Sequence, residues 1–274
     1  MASFDIGNVI IDQKIGEGAY GEVYQAHNSL SGQKYAIKTI KKSKLSRFLL
    51  KSLDNEIRIM KKLDHPNIIK TYYVDDNDET VSFYMELFSG NLQEYINEHK
   101  LTDHDVYLIF RQLASAIKYL HEEMHIVHRD IKLENVLFNN NSDMNIVLSD
   151  FGLSVERDPN GPLLASYPGS TGYAAPEVFR QIPYEGYPSD IYALGVCLFL
   201  MMTGIFPSQV RRYDEYIEDD DLLNLINGML NPSEMSRFTI DDVINHRWLF
   251  SFEGNEGDEN EGDEDDEEYE EEEE

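Results

Sequence analysis

Residues 126–138 read IVHRDIKLENVLF. Apolar, β-prone residues stand at both ends, and His128, Arg129, Asp130, Lys132, Glu134 and Asn135 lie between them. Desolvating charge is costly, so such a cluster sits near a core only where its groups are paired or used. The stretch is either a surface loop joining two strands or a catalytic loop. Its surroundings decide between the two.

Downstream, LSDFG adds Asp150. Two carboxylates and the Asn135 amide oxygen are hard ligands suited to Mg²⁺, which keeps waters and substrate phosphates in its shell. A further carboxylate can orient a hydroxyl and accept its proton. A nearby lysine can stabilise charge on a phosphate in transfer.

Upstream, the pattern is helical. Thr102 and Asp105 form a capping box, and Val106, Phe110, Leu113, Ile117 and Leu120 mark one helical stripe. Before a break at Ser89–Asn91 the chain is β-rich: NVIIDQKIG, GEVYQAHN and KYAIKTI read as strands. Leu53, Ile57 and Met60 then recur at helical spacing, and NIIKTYYV and TVSFYMELF pair around the turn DDNDE. Beyond the opening stretch, helices are predicted near 189–204, 221–230 and 239–249. A small β-rich part and a larger helical part imply a cleft between them, a favoured place for a ligand.

GEGAYGEV places Gly16, Gly18 and Gly21 in the spacing G-x-G-x-x-G. Glycines let backbone N–H groups approach phosphate oxygens. A dinucleotide fold needs a helix directly after the glycines, whereas EVYQAH is strand-like. The G-K-[ST] ending of a P-loop is also missing. Lys38, in YAIK on the next strand, is either an edge gatekeeper or a phosphate ligand. Glu56, in NEIRIM, can pair with it if that helix packs on the sheet.

The chain has 274 residues and a formal charge of −29. Residues 253–274 hold 16 acidic residues and no basic ones, so the rest carries −13. That tail cannot bury enough surface to offset its ordering entropy and is read, with residues 251–252, as disordered. So acidic a chain is not expected to bind nucleic acid. The single cysteine, Cys197, excludes an intramolecular disulfide and reads as core. The longest apolar run, Tyr192–Phe206, suits a buried helix better than a membrane span. The N-terminus lacks the pattern of a signal peptide, so an intracellular protein, cytoplasmic or nuclear, is expected.

Taken together and in this order, the motifs resemble the eukaryotic protein kinase family over residues 9–250. The residues that carry the resemblance are Gly16/Gly18/Gly21, Lys38, Glu56, His128-Arg129-Asp130 with Asn135, Asp150-Phe151-Gly152 and Ala175-Pro176-Glu177. The resemblance implies an α+β, bilobal kinase fold with an N-lobe over about 9–88 and a C-lobe over about 89–250. It implies a monomeric ATP- and Mg²⁺-dependent enzyme, with Mn²⁺ as an alternative ion, acting on Ser or Thr of proteins. The alternative is a non-catalytic kinase-like scaffold.

By the same resemblance Ile15, Gly16, Glu17, Gly18 and Gly21 border ATP. Val23 and Ala36 cover the adenine from above, and Leu137 covers it from below. Met85 is the gatekeeper and Glu86-Leu87-Phe88 the hinge. Lys38, held by Glu56, contacts the α- and β-phosphates, and Asn135 and Asp150 bind Mg²⁺. Asp130 is the base and Lys132 neutralises the γ-phosphate. Lys132 and Ser170 favour Ser/Thr substrates, with Ser170 bonding Asp130 and Lys132. The motifs GSTGYAAPE and HRDIKLEN look most like the calcium/calmodulin-dependent and AMP-activated kinase-like branch. Only the acidic stretch follows NHRWLF, so calmodulin control is not expected.

Arg129 implies control by a phosphate on Ser166. Val155-Glu156 stand where relatives often place a second basic partner, which leaves Arg157 as a substitute. Glu177 is expected to pair with Arg237, and Asp190 to brace the catalytic loop. Two departures are visible. The segment after Phe206 is short, so the usual further helix is expected to be shortened or missing. Asn91 replaces a Glu that contacts ribose and basic substrates, leaving Glu134 to read a basic residue.

Overall fold

The computed structural model describes residues 4–18, 21–139, 144–158, 160–166 and 168–252. The acidic stretch 253–274 and the tip of the glycine-rich turn, Ala19-Tyr20, lie outside the described residues.

The β-rich stretches form one antiparallel sheet. Its strands are β1 (Val9–Glu17), β2 (Gly21–Asn28), β3 (Lys34–Lys41), β4 (Thr71–Asp76) and β5 (Thr80–Met85), in the order β1-β2-β3-β5-β4. Alternation along β3 sends Ala36 and Lys38 to one face and Tyr35 and Ile37 to the other. The Lys38 face meets α1 (Arg47–Met60), whose first turn is capped by Ser46 accepting from the Leu49 amide at 3.3 Å. Leu53, Ile57 and Met60 are buried as their spacing predicts, and Glu56 is buried with them. On the other face the Phe4 ring lies 5.3 Å from Tyr35, 5.8 Å from Tyr73 and 5.4 Å from Tyr84, covering a cluster of aromatic side chains.

The break at residues 89–91 is a hydrogen-bonded crossing. Here β6 (Gly90–Asn91) pairs with β8 (Val136–Phe138), which pairs with β9 (Ile146–Leu148). Beyond it come α2 (Leu92–Glu98) and α3 (Asp103–Lys118), the latter opened by the full Thr102/Asp105 capping box. The stripe from Val106 to Leu120 is buried. Two further short strands, β7 (Ile126–Val127) and β10 (Val155–Glu156), pair with each other.

After α4 (Pro176–Phe179), helix α5 (Gly186–Thr203) is apolar nearly all round, so it lies in the core rather than on its edge. It stops at Gly204, whose φ of 72° is the left-handed cap that glycine adopts without Cβ strain. Between α5 and α6 (Asp220–Met229) there are only two 3₁₀ turns, Pro207–Gln209 and Tyr213–Glu215. The further helix is thus missing, and Tyr213 and Tyr216 pin the short connection against Phe199. The predicted helix near 239–249 is split into α7 (Ile240–Ile244) and a 3₁₀ turn, Arg247–Phe250. Phe252 stacks on Tyr107 at 4.7 Å, so the packed part runs two residues past the expected boundary. Among the described residues no helix is long and apolar enough to cross a membrane. Cys197 is buried, and that burial pushes its thiol pKa up.

Candidate active site

The opening stretch runs from β7 to β8 and hangs on Asp190 of α5. The Asp190 carboxylate accepts from the backbone N–H of His128 at 2.7 Å and of Arg129 at 2.8 Å. It also lies 3.0 Å from His121 Nε2. Arg129 has a φ of 67°, a left-handed conformation that costs a non-glycine residue energy, and these bonds hold it there. His128 is fully buried. Its Nδ1 accepts from the Asp130 N–H at 3.2 Å, so Nε2 carries the proton and donates to the Ser149 carbonyl at 3.1 Å. Burial lowers the His128 pKa, and the neutral ring packs edge-on against Phe151.

The polar residues of the stretch converge on Asp130. Its Oδ1 accepts from the Ser170 hydroxyl at 2.8 Å, and its Oδ2 accepts from Lys132 at 2.8 Å and the Asn135 amide at 3.1 Å. Lys132 also donates to Ser170 Oγ at 2.8 Å. Asn135 donates to the Asp130 carbonyl, and its own carbonyl accepts from the Ser149 N–H at 2.8 Å, next to Asp150. The four side chains from the catalytic loop and activation segment thus form one closed network.

Lys38 approaches from the sheet and meets Asp150 rather than the Asp130 network. Its ammonium donates to Glu56 at 2.9 Å and to Asp150 at 3.1 Å. Burial opposes its charge, but the two carboxylates outweigh burial and raise its pKa. In turn Lys38 holds the Asp150 carboxyl below the usual range, so it is ionised at neutral pH. Strand register sets Val23 opposite Lys38 and Ala36 opposite Met85. Glu86, Leu87 and Phe88 follow β5 directly, and Leu137 lies on β8 opposite Asn91.

In the glycine-rich turn, Gly16 faces Val23, and the Gly18 N–H donates to the Gly21 carbonyl at 2.8 Å. A Cβ on Gly21 would come within 2.6 Å of the Thr39 carbonyl oxygen, so only glycine fits that crossing. Ile15 is exposed, and Glu17 pairs with Lys14.

In the activation segment, Arg129 Nη1 donates to Ser166 Oγ at 2.7 Å. Arg157 is not a second partner for that serine. Its planar fork is filled by Glu185, with contacts of 3.2, 2.9 and 2.9 Å, which corrects the reading of Arg157 as a substitute receiver. Glu177 and Arg237 form a buried bidentate pair at 2.6 and 3.0 Å. Asn91 caps α2 by accepting from the Glu94 N–H at 3.0 Å. Glu134 is exposed and accepts from the Tyr173 hydroxyl at 3.2 Å. Two contacts had no signal in the sequence. One is His121 on Asp190, and the other is Glu156 between Arg58 and Lys62.

A glycine-rich strand turn, a lysine between two carboxylates and a base network across a two-lobed cleft define a phosphotransferase fold of the kinase type. The family profile described as protein kinase domain matches residues 9–249. The chain belongs to the protein kinase family. It is 37% identical over 256 residues to NUAK family SNF1-like kinase 1 of Mus musculus, covering 87% of this chain and 38% of that protein. It is 36% identical over 262 residues to Probable serine/threonine-protein kinase MARK-A of Dictyostelium discoideum, covering 90% and 24%. It is 38% identical over 264 residues to Testis-specific serine/threonine-protein kinase 1 of Mus musculus, covering 88% and 71%. The chain therefore spans well under half of the first two relatives. These relatives are kinases of the AMP-activated-kinase-related branch, one of the two that the motifs suggested.

Proposed function

We propose that the protein is a serine/threonine kinase that moves the γ-phosphoryl group of ATP to Ser or Thr hydroxyls of proteins. The observation that carries this reading is the bridge of Lys38 to both Glu56 and Asp150, 2.9 and 3.1 Å. It joins β3 and α1 to the loop that carries Asp150, so Lys38 would hold ATP phosphates on one side and Asp150 would hold Mg²⁺ on the other. In the reaction, the substrate hydroxyl oxygen bonds to the γ-phosphorus as the bond to the bridging oxygen of ADP breaks. Asp130 Oδ1, now bonded to Ser170, is placed to orient that hydroxyl and take its proton. Lys132, shared by Asp130 and Ser170, meets the charge spread over the transferring group.

One carboxylate and one amide oxygen, from Asp150 and Asn135, fit Mg²⁺, which takes few protein ligands and completes its shell with phosphates and water. When bound, the ion neutralises charge on the β- and γ-phosphates. Lys132 and Ser170 support the Ser/Thr preference. The exposed, Tyr173-held carboxylate of Glu134 supports a preference for substrates with a basic residue near the acceptor.

Incorporation of labelled phosphate into a generic basic protein tests the reading. Wild type should label it, and Asp130→Asn and Lys38→Met should not. Equal signal from all three would leave only the scaffold alternative.

A further inference from the structure

Glu156 lies on β10, in the stretch that leads from Asp150 into the activation segment. Its carboxylate accepts from Arg58 Nη1 at 2.8 Å and from Lys62 Nζ at 2.8 Å. Beside it, Arg58 Nη2 donates to Asn55 Oδ1 at 2.6 Å, and Asn55 Nδ2 donates to the Ser154 carbonyl at 2.7 Å. Asn55 and Arg58 are on α1 and Lys62 lies just past its end, so all three share one side of that helix. Residues 154–156 cannot drift with α1, because β10 is paired to β7 through Val155–Val127 and Glu156–Ile126. Strand β7 itself runs into the catalytic loop. The helix that carries Glu56 is therefore held twice: from the sheet by Lys38, and from the catalytic loop by this clamp.

We propose that Glu156 is a positioning residue for phosphoryl transfer: clamped by Arg58 and Lys62, it fixes α1 so that Glu56 stays on Lys38. The proposal rests on the kinase reading of the same site. The clamp is made entirely of groups of the unmodified chain, so this negative charge against α1 needs no phosphate on the activation segment. The Lys62 and Arg58 cations keep the Glu156 carboxyl below the usual range, and it is charged throughout the neutral region. Arg58 and Lys62 are about half exposed. Salt should therefore screen the clamp, and each contact alone should be weak.

The test uses the full chain with Glu156→Lys, Glu156→Asp and the combined exchange Glu156→Lys/Arg58→Glu/Lys62→Glu. Three readouts are taken: amide hydrogen exchange over residues 47–60, affinity for a fluorescent ATP analogue, and kcat and KM for ATP. Glu156→Lys should speed exchange in α1 but not in α5 and weaken nucleotide affinity about fivefold at low salt, the size expected of one or two partly exposed ion pairs. The difference should shrink as salt rises. KM for ATP should rise with the loss of affinity, the combined exchange should restore all three readouts, and Glu156→Asp should lie between. Wild-type exchange and affinity in Glu156→Lys, or no recovery in the combined exchange, would overturn the proposal. A wild type that transfers no phosphate would instead remove the kinase reading, while exchange and affinity would still decide the clamp.

Discussion

The guanidinium of Arg129 donates to the hydroxyl of Ser166 at 2.7 Å, across 37 positions of sequence. A phosphate at that oxygen would meet a cation already in place, and Arg129 is itself tied to Asp190 through its backbone N–H. Arg157 does not share the load, because Glu185 and the Asp158 carbonyl take its nitrogens. Blocking the site should therefore matter through Arg129 alone. Ser166→Ala should lower kcat about tenfold relative to protein phosphorylated at Ser166, the worth of one charge-assisted contact. Arg129→Ala should remove the difference between phosphorylated and unphosphorylated protein. Full activity of Ser166→Ala with unchanged activation kinetics would show that Ser166 is an ordinary loop serine.

Glu177 and Arg237 are both buried, and Arg237 also donates to the Pro188 and Asn231 carbonyls. Removing one partner leaves an unpaired charge in the core. Glu177→Ala should cost about 3–5 kcal/mol, read as a lower denaturant midpoint. The paired replacement Glu177→Leu/Arg237→Met should cost less than either single removal, because it buries no lone charge. A smaller cost for Glu177→Ala than for the pair would contradict this account.

Much of this site could be read from local pattern. Lys38 sits on an alternating strand and Glu56 on a helix with its own apolar stripe, so each could be assigned a face before the two were known to meet. The Asp130 network was legible because Asp130, Lys132 and Asn135 lie within six residues and are too costly to bury idle. What escaped was pairing between distant segments with no spacing rule. Arg157 carries charge in the expected place, yet its partner Glu185 is set by how α5 enters the core. Glu156 meets Arg58 across 98 positions, and no pattern within either segment shows it. The left-handed backbone of Arg129 and Asp150 is likewise invisible, since it is imposed by bonds from elsewhere in the fold.

His128 should make stability depend on pH in a predictable direction. Burial holds its folded pKa below the ordinary value of 6.5, so the folded protein binds fewer protons there than the unfolded chain. Its contribution is complete above pH 6.5 and is lost as pH falls below it. His65 and His246, also lowered by burial, act in the same direction. The melting temperature should fall between pH 7.5 and 5.5. His128→Phe should be less stable at pH 7.5, having lost two buried hydrogen bonds, but its melting temperature should fall less steeply with acid. An equally steep fall in His128→Phe would assign the dependence to other groups.

Thr71 offers a stabilising change. Its hydroxyl oxygen is buried on β4 with no hydrogen-bond partner among the described residues, directly across the sheet from Met85. An unpaired buried hydroxyl forfeits its bonds to water and gains nothing in return. Thr71→Val keeps the branched shape that suits a strand and replaces the orphaned oxygen with a methyl group. It should raise stability by about 1–2 kcal/mol, seen as a higher denaturant midpoint at unchanged slope. Thr71→Ser keeps the hydroxyl and removes the methyl, so it should be less stable than wild type. A destabilised Thr71→Val would mean that the hydroxyl has a hydrogen-bond partner in solution.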